Sequence, residues 1–170
     1  MVDDVDRALI TQLQRDATQS YATLASAVGL SAGSAHERVR KLRERGVIRR
    51  STVDVDPAAV GRGVSAFVLV SADSWMGDAP TRDALVAIPE IQEAHIIAGA
   101  ASLLVKIRTA TTEDLQAALR RIFGVDGVTG TQAMVVLETF FERPVSVVEK
   151  PDKPRPVDAP PRPDPSRQTE

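Results

Sequence analysis

Between Gly29 and Arg50 the chain reads GLSAGSAHERVRKLRERGVIRR, which sets seven Arg or Lys residues against two Glu. Cations this dense, on long side chains, are suited to binding phosphate oxygens. Ser31, Ser34 and His36 add short groups that can donate and accept hydrogen bonds, as contact with the edges of bases requires. The alternative is a charged helix face that does nothing but meet water. The choice between them depends on the elements around the segment.

If residues 31–45 form a helix, Ala35, Val39 and Leu42 fall on one narrow apolar stripe at 100° per residue. Ser34, Arg38, Lys41 and Arg45 line one flank, and His36, Arg40 and Arg43 the other, while Glu37 and Glu44 face away from the stripe. Such a helix seated in a groove carries cations toward both phosphate walls, and the small residues Ser31, Ala32, Gly33 and Ser34 let its start approach base edges. Ser31 is placed to cap it and Gly46 to end it. Two shorter helices precede it. In DDVDRALITQLQRD, Val5, Leu9 and Leu13 recur every four residues behind an acidic first turn that complements the helix dipole. In YATLASAVG, Leu24, Ala25 and Val28 share a face and Gly29 ends the helix. Two helices joined by a tight glycine turn make a helix-turn-helix, expected here over 1–50. Val47 and Ile48, with the alternation from Ser51 to Val55, predict a short strand, so that the domain is of the winged type. Residues 51–62 are that strand and a linker closed by Pro57 and Gly61. Arg49 and Arg50 either touch phosphate beside the groove or keep an exposed strand in solution.

Residues 63–143 alternate element types. VSAFVLVS (64–71) reads as a strand. Pro80 starts a helix that turns Leu85 and Ile88 inward and stops at Pro89. Strands follow at 93–98 and 102–109, joined at Gly99. TTEDLQAALRRIFG is an amphipathic helix with Leu115, Ala118, Leu119 and Ile122 on one face, and 131–141 is a long last strand. The order βαββαβ is ferredoxin-like, and the fold class is therefore α+β. Such a sheet has helices on one face only, and the open face is expected to bury against a second copy. The last region, 144–170, has eight prolines in 27 residues, and its composition predicts a disordered tail.

Composition excludes several other classes. The chain has 170 residues, 43% hydrophobic and 26% charged, as expected of a globular protein. With no cysteine it has no disulfide framework, thiolate metal site or cysteine nucleophile. No apolar run reaches the roughly 20 residues that span a bilayer. The acidic start MVDDVDRALI lacks the order of a signal peptide, so a cytoplasmic location is expected, nucleoid-associated if the basic helix binds DNA. The formal net charge of −2 conceals a division: residues 1–62 balance to +2, 63–143 to −4 and the remainder to zero. His36 and His95 stand in no metal-ligand spacing, and no phosphate loop or nucleophile elbow occurs. No cofactor, metal or catalytic residue is expected.

The motifs resemble those of the Lrp/AsnC family of bacterial and archaeal regulators over about 1–142. VDDVDRALITQLQRD is similar to the family's LDxxDxxIL opening, and LASAVGLSAGSAHERVRKLRERGVI to LAxxVGLSxxxVxxRVxxLExxGVI. IPEIQEAHIIAGAASLLVKI resembles the strand–Gly–strand segment, and GVDGVTGTQAMVVLE the last loop and strand. The resemblance implies a DNA-binding transcriptional regulator whose second domain, called RAM, assembles dimers, tetramers or octamers. It also implies that an effector, typically an amino acid, binds between dimers. Carried over, the effector residues are Gly99, Ala100, Ala101 and Ser102 with Met134, Val135 and Val136. The DNA-binding set is Ser31, Ser34, His36 and Arg38 nearest the bases, with Arg40, Lys41, Arg43, Arg49 and Arg50 on or near phosphates of a double-stranded partner. One departure matters: the family's Gly-x-x-Asp loop has Ser102 at the Asp position, which offers a ligand a hydroxyl and no carboxylate. Asp16-Ala17-Thr18 likewise stands where the family has Asp-Gly-Arg. Two alternatives follow. One is a nucleoid protein that wraps DNA without an effector. The other is an enzyme like the sirohaem decarboxylases of the same architecture, which carry His and Arg around their cleft and aromatic-rich insertions that this chain lacks.

Overall fold

A computed structural model of the chain describes residues 2–147. The elements are α1 (Asp4–Arg15), α2 (Tyr21–Val28), α3 (Ala32–Glu44), β1 (Val64–Ala72), α4 (Ala79–Val86), β2 (Ile91–Ile96), β3 (Leu103–Thr109), α5 (Thr112–Phe123) and β4 (Val128–Val135). They belong to two compact units, Met1–Thr52 with the segment that begins at Arg143, and Val53–Glu142.

In the first unit each helix starts on a side-chain cap. Asp3 accepts from the Asp6 N–H at 2.7 Å in a reciprocal capping box, Ser20 caps α2, and Ser31 caps α3. The three helices close over Leu9, Leu24, Ala25, Ala35 and Val39, with Val5, Leu13, Tyr21, Val28, Leu30 and Ile48 packed at the margin. This is the core that the helical spacing predicts. Residues 144–147 form no regular element. Their backbone lies along α1, where Arg7 Nη1 donates to the Val147 carbonyl at 3.1 Å and Gln14 Nε2 to that of Val145 at 2.9 Å. The rest of the segment expected to be a disordered tail, 148–170, lies outside the described residues.

The second unit is a four-stranded antiparallel sheet in the order β2-β3-β1-β4, which is the ferredoxin-like topology. Its register puts Ala66, Val68 and Val70 of β1 beside Ile107, Val105 and Leu103 of β3 on one face. Leu85 and Ile88 from the α4 region and Leu115, Ala118 and Ile122 of α5 pack onto that face, giving a core of aliphatic side chains and Met76. The opposite face carries Phe67, Leu69, Leu104 and Met134 with Lys106, Arg108, Glu93 and His95, and no helix among the described residues packs on it.

Three expectations need correction. Residues 49–56 form neither helix nor strand, so the described first unit is a helix-turn-helix without a wing strand. The alternation from Ser51 to Val55 covers no core, for Val53 and Val55 are 78% and 49% exposed. The last strand stops at Val135 instead of running to 141. The Val136 N–H still reaches the Ser65 carbonyl at 2.9 Å, one residue beyond the end of β4 and close to the start of β1 at Val64. The two middle strands are also displaced: β2 lies two residues earlier than 93–98, and β3 starts at Leu103.

Candidate nucleic-acid interface and effector loop

The turn between α2 and α3 is three residues long and is set by Gly29, whose φ of 70° and ψ of 33° lie in the left-handed region. A side chain there would be strained, whereas glycine takes the conformation freely. Ser31 Oγ then accepts from the Ser34 N–H at 3.2 Å and donates to Ser34 Oγ at 2.9 Å, so the two serines that start α3 hold each other. Ala35, Val39 and Leu42 are fully buried, and the opposite side of α3 is open to solvent. Beside Gly33 there is open space, which leaves the backbone at the helix start free to approach a partner. His36 is exposed and meets the Tyr21 ring edge-on at 4.7 Å between centroids.

Electrostatics sorts the cations of this surface into three groups. Arg38 turns inward: its Nη1 donates to Asp3 Oδ2 at 2.7 Å and to Asp6 Oδ1 at 2.8 Å, and the Asp6 side chain is only 9% exposed. Arg40 is held along the helix. It grips Glu37 through Nη2 at 2.6 Å and Nε at 2.8 Å, and its Nη1 pairs with Glu44. That grip lowers the Glu37 carboxyl to about 2 against solvent that would otherwise leave it near 4.5. Lys41 reaches the same carboxylate at 3.4 Å, with an exposed side chain. Arg43, Arg49 and Arg50 are exposed and make no ion pair among the described residues.

The acids are what wheel reasoning missed. Asp3 and Asp6 read as dipole partners, which they are, yet both also hold Arg38. Glu37 and Glu44 read as facing away, yet they bracket Arg40. The i to i+3 and i to i+4 spacings of Glu37 and Glu44 around Arg40 were a visible signal for the second pair. Nothing in the sequence marks the first, because α1 and α3 meet only in the folded core.

On the second unit, Ile97 N–H donates to the Ser102 carbonyl at 3.1 Å, and Ser102 N–H to the Val70 carbonyl at 2.9 Å, closing the loop between β2 and β3. Gly99 within it has φ 152°, a conformation L side chains rarely adopt, with open space beside it. Ala101 and Ser102 are half-buried, and Gly99 and Ala100 exposed. Met134 and Val135 pair with Phe67 and Ala66, near the other end of β1 from Val70. Val70 is four residues on from Ala66 in β1, about 13 Å along the strand. One chain therefore does not bring Gly99–Ser102 and Met134–Val136 into a common pocket. A separate groove of about 490 Å³ lies between α4 and β2, lined by Met76, Leu85, Ile91 and Ile96 with Arg82 and Glu93 among its polar groups, and neither effector segment lines it. Among the described residues no three His, Asp or Glu side chains are grouped to hold a metal ion, and no helix is long and apolar enough to cross a membrane.

Comparison with known proteins agrees with this architecture. Residues 2–43 match the AsnC-type helix-turn-helix domain, and residues 65–146 the Lrp/AsnC ligand binding domain. The chain belongs to the Lrp/AsnC family. It is 38% identical over 141 residues to the HTH-type transcriptional regulator FL11 of Pyrococcus abyssi, covering 83% of this chain and 93% of that protein. It is 34% identical over 142 residues to the HTH-type transcriptional regulator LrpA of Mycobacterium tuberculosis, covering 82% and 93%. A feast or famine regulatory protein from M. tuberculosis, solved in complex with L-methionine, superposes with a TM-score of 0.80 at 30% identity, over 87% of this chain and all 100% of that one. The chain is thus a DNA-binding transcriptional regulator of this family with a ligand-binding domain, and not an enzyme.

Proposed function

We propose that the protein is a sequence-specific regulator in which two copies, joined through their second units, present paired α3 helices to successive major grooves of a roughly palindromic site. The observation that carries this reading is α3 itself. It is capped and its inner stripe is fully buried, and Lys41 and Arg43 on its outer side, with Arg49 and Arg50 in the segment just past its end, are exposed toward phosphate. Ser34, His36 and the backbone around Gly33 are the groups offered to bases. Ser31 acts mainly as the cap, and Arg40 reaches phosphate only by releasing Glu37 and Glu44. The protein then works in the cytoplasm, on the nucleoid.

Self-association is supported by the uncovered sheet face, with Phe67, Leu69, Leu104 and Met134 in cross-strand register. An amino-acid effector would bind where Gly99–Ser102 of one copy meets Met134–Val136 of another, since a single chain holds the two segments apart. It would act by favouring one assembly over another. The methionine complex of the relative makes L-methionine the first ligand to try. The Ser102 hydroxyl, in place of a carboxylate, favours the effector-independent, DNA-wrapping reading as the second choice.

The test is a fluorescence-anisotropy titration of the full chain against DNA from its own upstream region and an unrelated duplex, across a salt series, with and without L-methionine. Four cations from each of two copies predict a slope of log K on log salt of about −7. Preference for the upstream DNA supports the regulator, and an affinity shift with methionine supports the effector. Equal binding to both duplexes, unmoved by methionine, supports the packaging protein. No binding to either at low salt removes both readings.

A further inference from the structure

We infer that Arg38, with Asp3 and Asp6, is a positioning latch that fixes the rotation of the recognition helix, and is neither a base-reading nor a phosphate-binding residue. The inference rests on the proposed DNA-binding role of α3 and assigns the positioning of that helix to acids at the start of α1.

The geometry supplies three arguments. One nitrogen, Nη1, lies within hydrogen-bond distance of two carboxylates, at 2.7 and 2.8 Å, so both of its N–H groups are used inside the chain. The group as a whole, one guanidinium and two carboxylates, carries a net charge of −1 and so repels phosphate. That excess is stabilised locally, because Asp3 and Asp6 form the capping box at the positive end of α1. Asp6 is buried beneath the pair, and a DNA contact that drew Arg38 outward would leave a buried carboxylate without its cation, a costly state.

Position gives the latch its consequence. Arg38 lies at the middle of α3, on the flank that also carries Ser34 and Lys41, one turn away on either side. The apolar stripe of Ala35, Val39 and Leu42 allows α3 to be seated but grips it only with small and aliphatic groups. Fixing the guanidinium to the first turn of α1 sets the azimuth at which Ser34 and Gly33 face outward. Phosphate attraction tolerates a small rotation of the helix, and base contacts do not.

The experiment compares wild type, Arg38→Gln, Asp6→Asn and Asp3→Asn as full-length chains, each titrated by anisotropy with its upstream DNA and an unrelated duplex over a salt series. Asn is itself a good helix cap, so Asp3→Asn keeps the start of α1 and serves if Asp6→Asn does not fold. The latch predicts that Arg38→Gln weakens binding to the upstream DNA by about tenfold or more, on the scale of one lost base contact, while the salt slope and the unrelated-duplex affinity stay unchanged. It also predicts that Asp3→Asn weakens upstream binding although it removes a negative charge. If Arg38→Gln instead makes the slope shallower by about one per copy on both duplexes and Asp3→Asn tightens binding, Arg38 is a phosphate ligand and the latch is wrong. If Arg38→Gln weakens upstream binding while both Asp variants tighten it, Arg38 reads a base, and the latch is again overturned. The wild-type arm separates these results from failure of the regulator reading: a wild type with no preference for the upstream DNA removes that reading, and the latch inference with it.

Discussion

Glu37 holds Arg40 by both carboxylate oxygens, and this contact makes its own measurable prediction. Its folded-state value is lowered from 4.5 to about 2, chiefly by the hydrogen bond from Arg40 and less by Lys41. A depressed carboxylate contributes stability that is fully present above its unfolded value and lost as pH falls. For Glu37 that loss runs from near 4.5 down through about 2. A carboxyl-carbon NMR titration should show Glu37 ionised well below the other exposed glutamates, and Arg40→Ala should return it most of the way to the ordinary range. A normal midpoint in the wild type would refute the bidentate contact. The same pair also governs the DNA surface. The double variant Glu37→Gln/Glu44→Gln frees Arg40 without moving any backbone group, so DNA binding should tighten and the salt slope steepen by about one per copy. An unchanged slope would mean that Arg40 faces away from phosphate even when released.

The α2–turn–α3 unit depends on two residues that can be tested separately. Gly29→Ala places a Cβ at φ 70° and should destabilise the first unit by about 1–2 kcal/mol. Ser31→Ala removes the cap on α3 and should cost roughly 1 kcal/mol. Urea unfolding followed by circular dichroism checks both, and a Gly29→Ala variant as stable as wild type would contradict the left-handed turn. These elements were legible in the sequence because their determinants are local. Gly29, Ser31 and the spacing of Ala35, Val39 and Leu42 place α2, the turn and α3 without reference to anything distant. The order of strands and helices in the second unit was equally clear from the apolar runs and from Pro80, Pro89 and Gly99. The strand expected at Ser51–Val55 and the extension of the last strand past Val135 were not, because side-chain alternation does not report which backbone groups join a continuous ladder. Alternation alone cannot show where β1 begins. The site was legible in the same proportion: which residues are basic could be read directly, but which of them are already engaged depends on Asp3 and Asp6 meeting Arg38 across the folded core.

At the scale of the whole molecule, the proposal that two copies share the work rests on the open face of the sheet, and a single exposed residue can test it. Met134 is 45% exposed, beside Phe67 in the register of β4 on β1. Lys106 lies over the Phe67 ring at 6.0 Å and bonds Glu142 at 2.8 Å, so part of this face is already polar and a new acid there is tolerated by the isolated chain. Against a second copy related by a two-fold axis, however, Met134→Glu would bury a carboxylate from each copy in the contact, at a desolvation cost that the exposed chain does not meet. The variant should keep the wild-type circular dichroism at low temperature, while sedimentation velocity shows the dimer lost. With one α3 per particle instead of two, the salt slope should fall from about −7 to about half that, and preference for a palindromic site should vanish while weak binding persists. Loss of the dimer with the slope intact would place the pairing of α3 helices outside the second unit. A dimer that survives Met134→Glu would show that this face is not where the copies meet. The effector reading would then need a different junction, since Gly99–Ser102 and Met134–Val136 converge only if the sheet units of different copies come together.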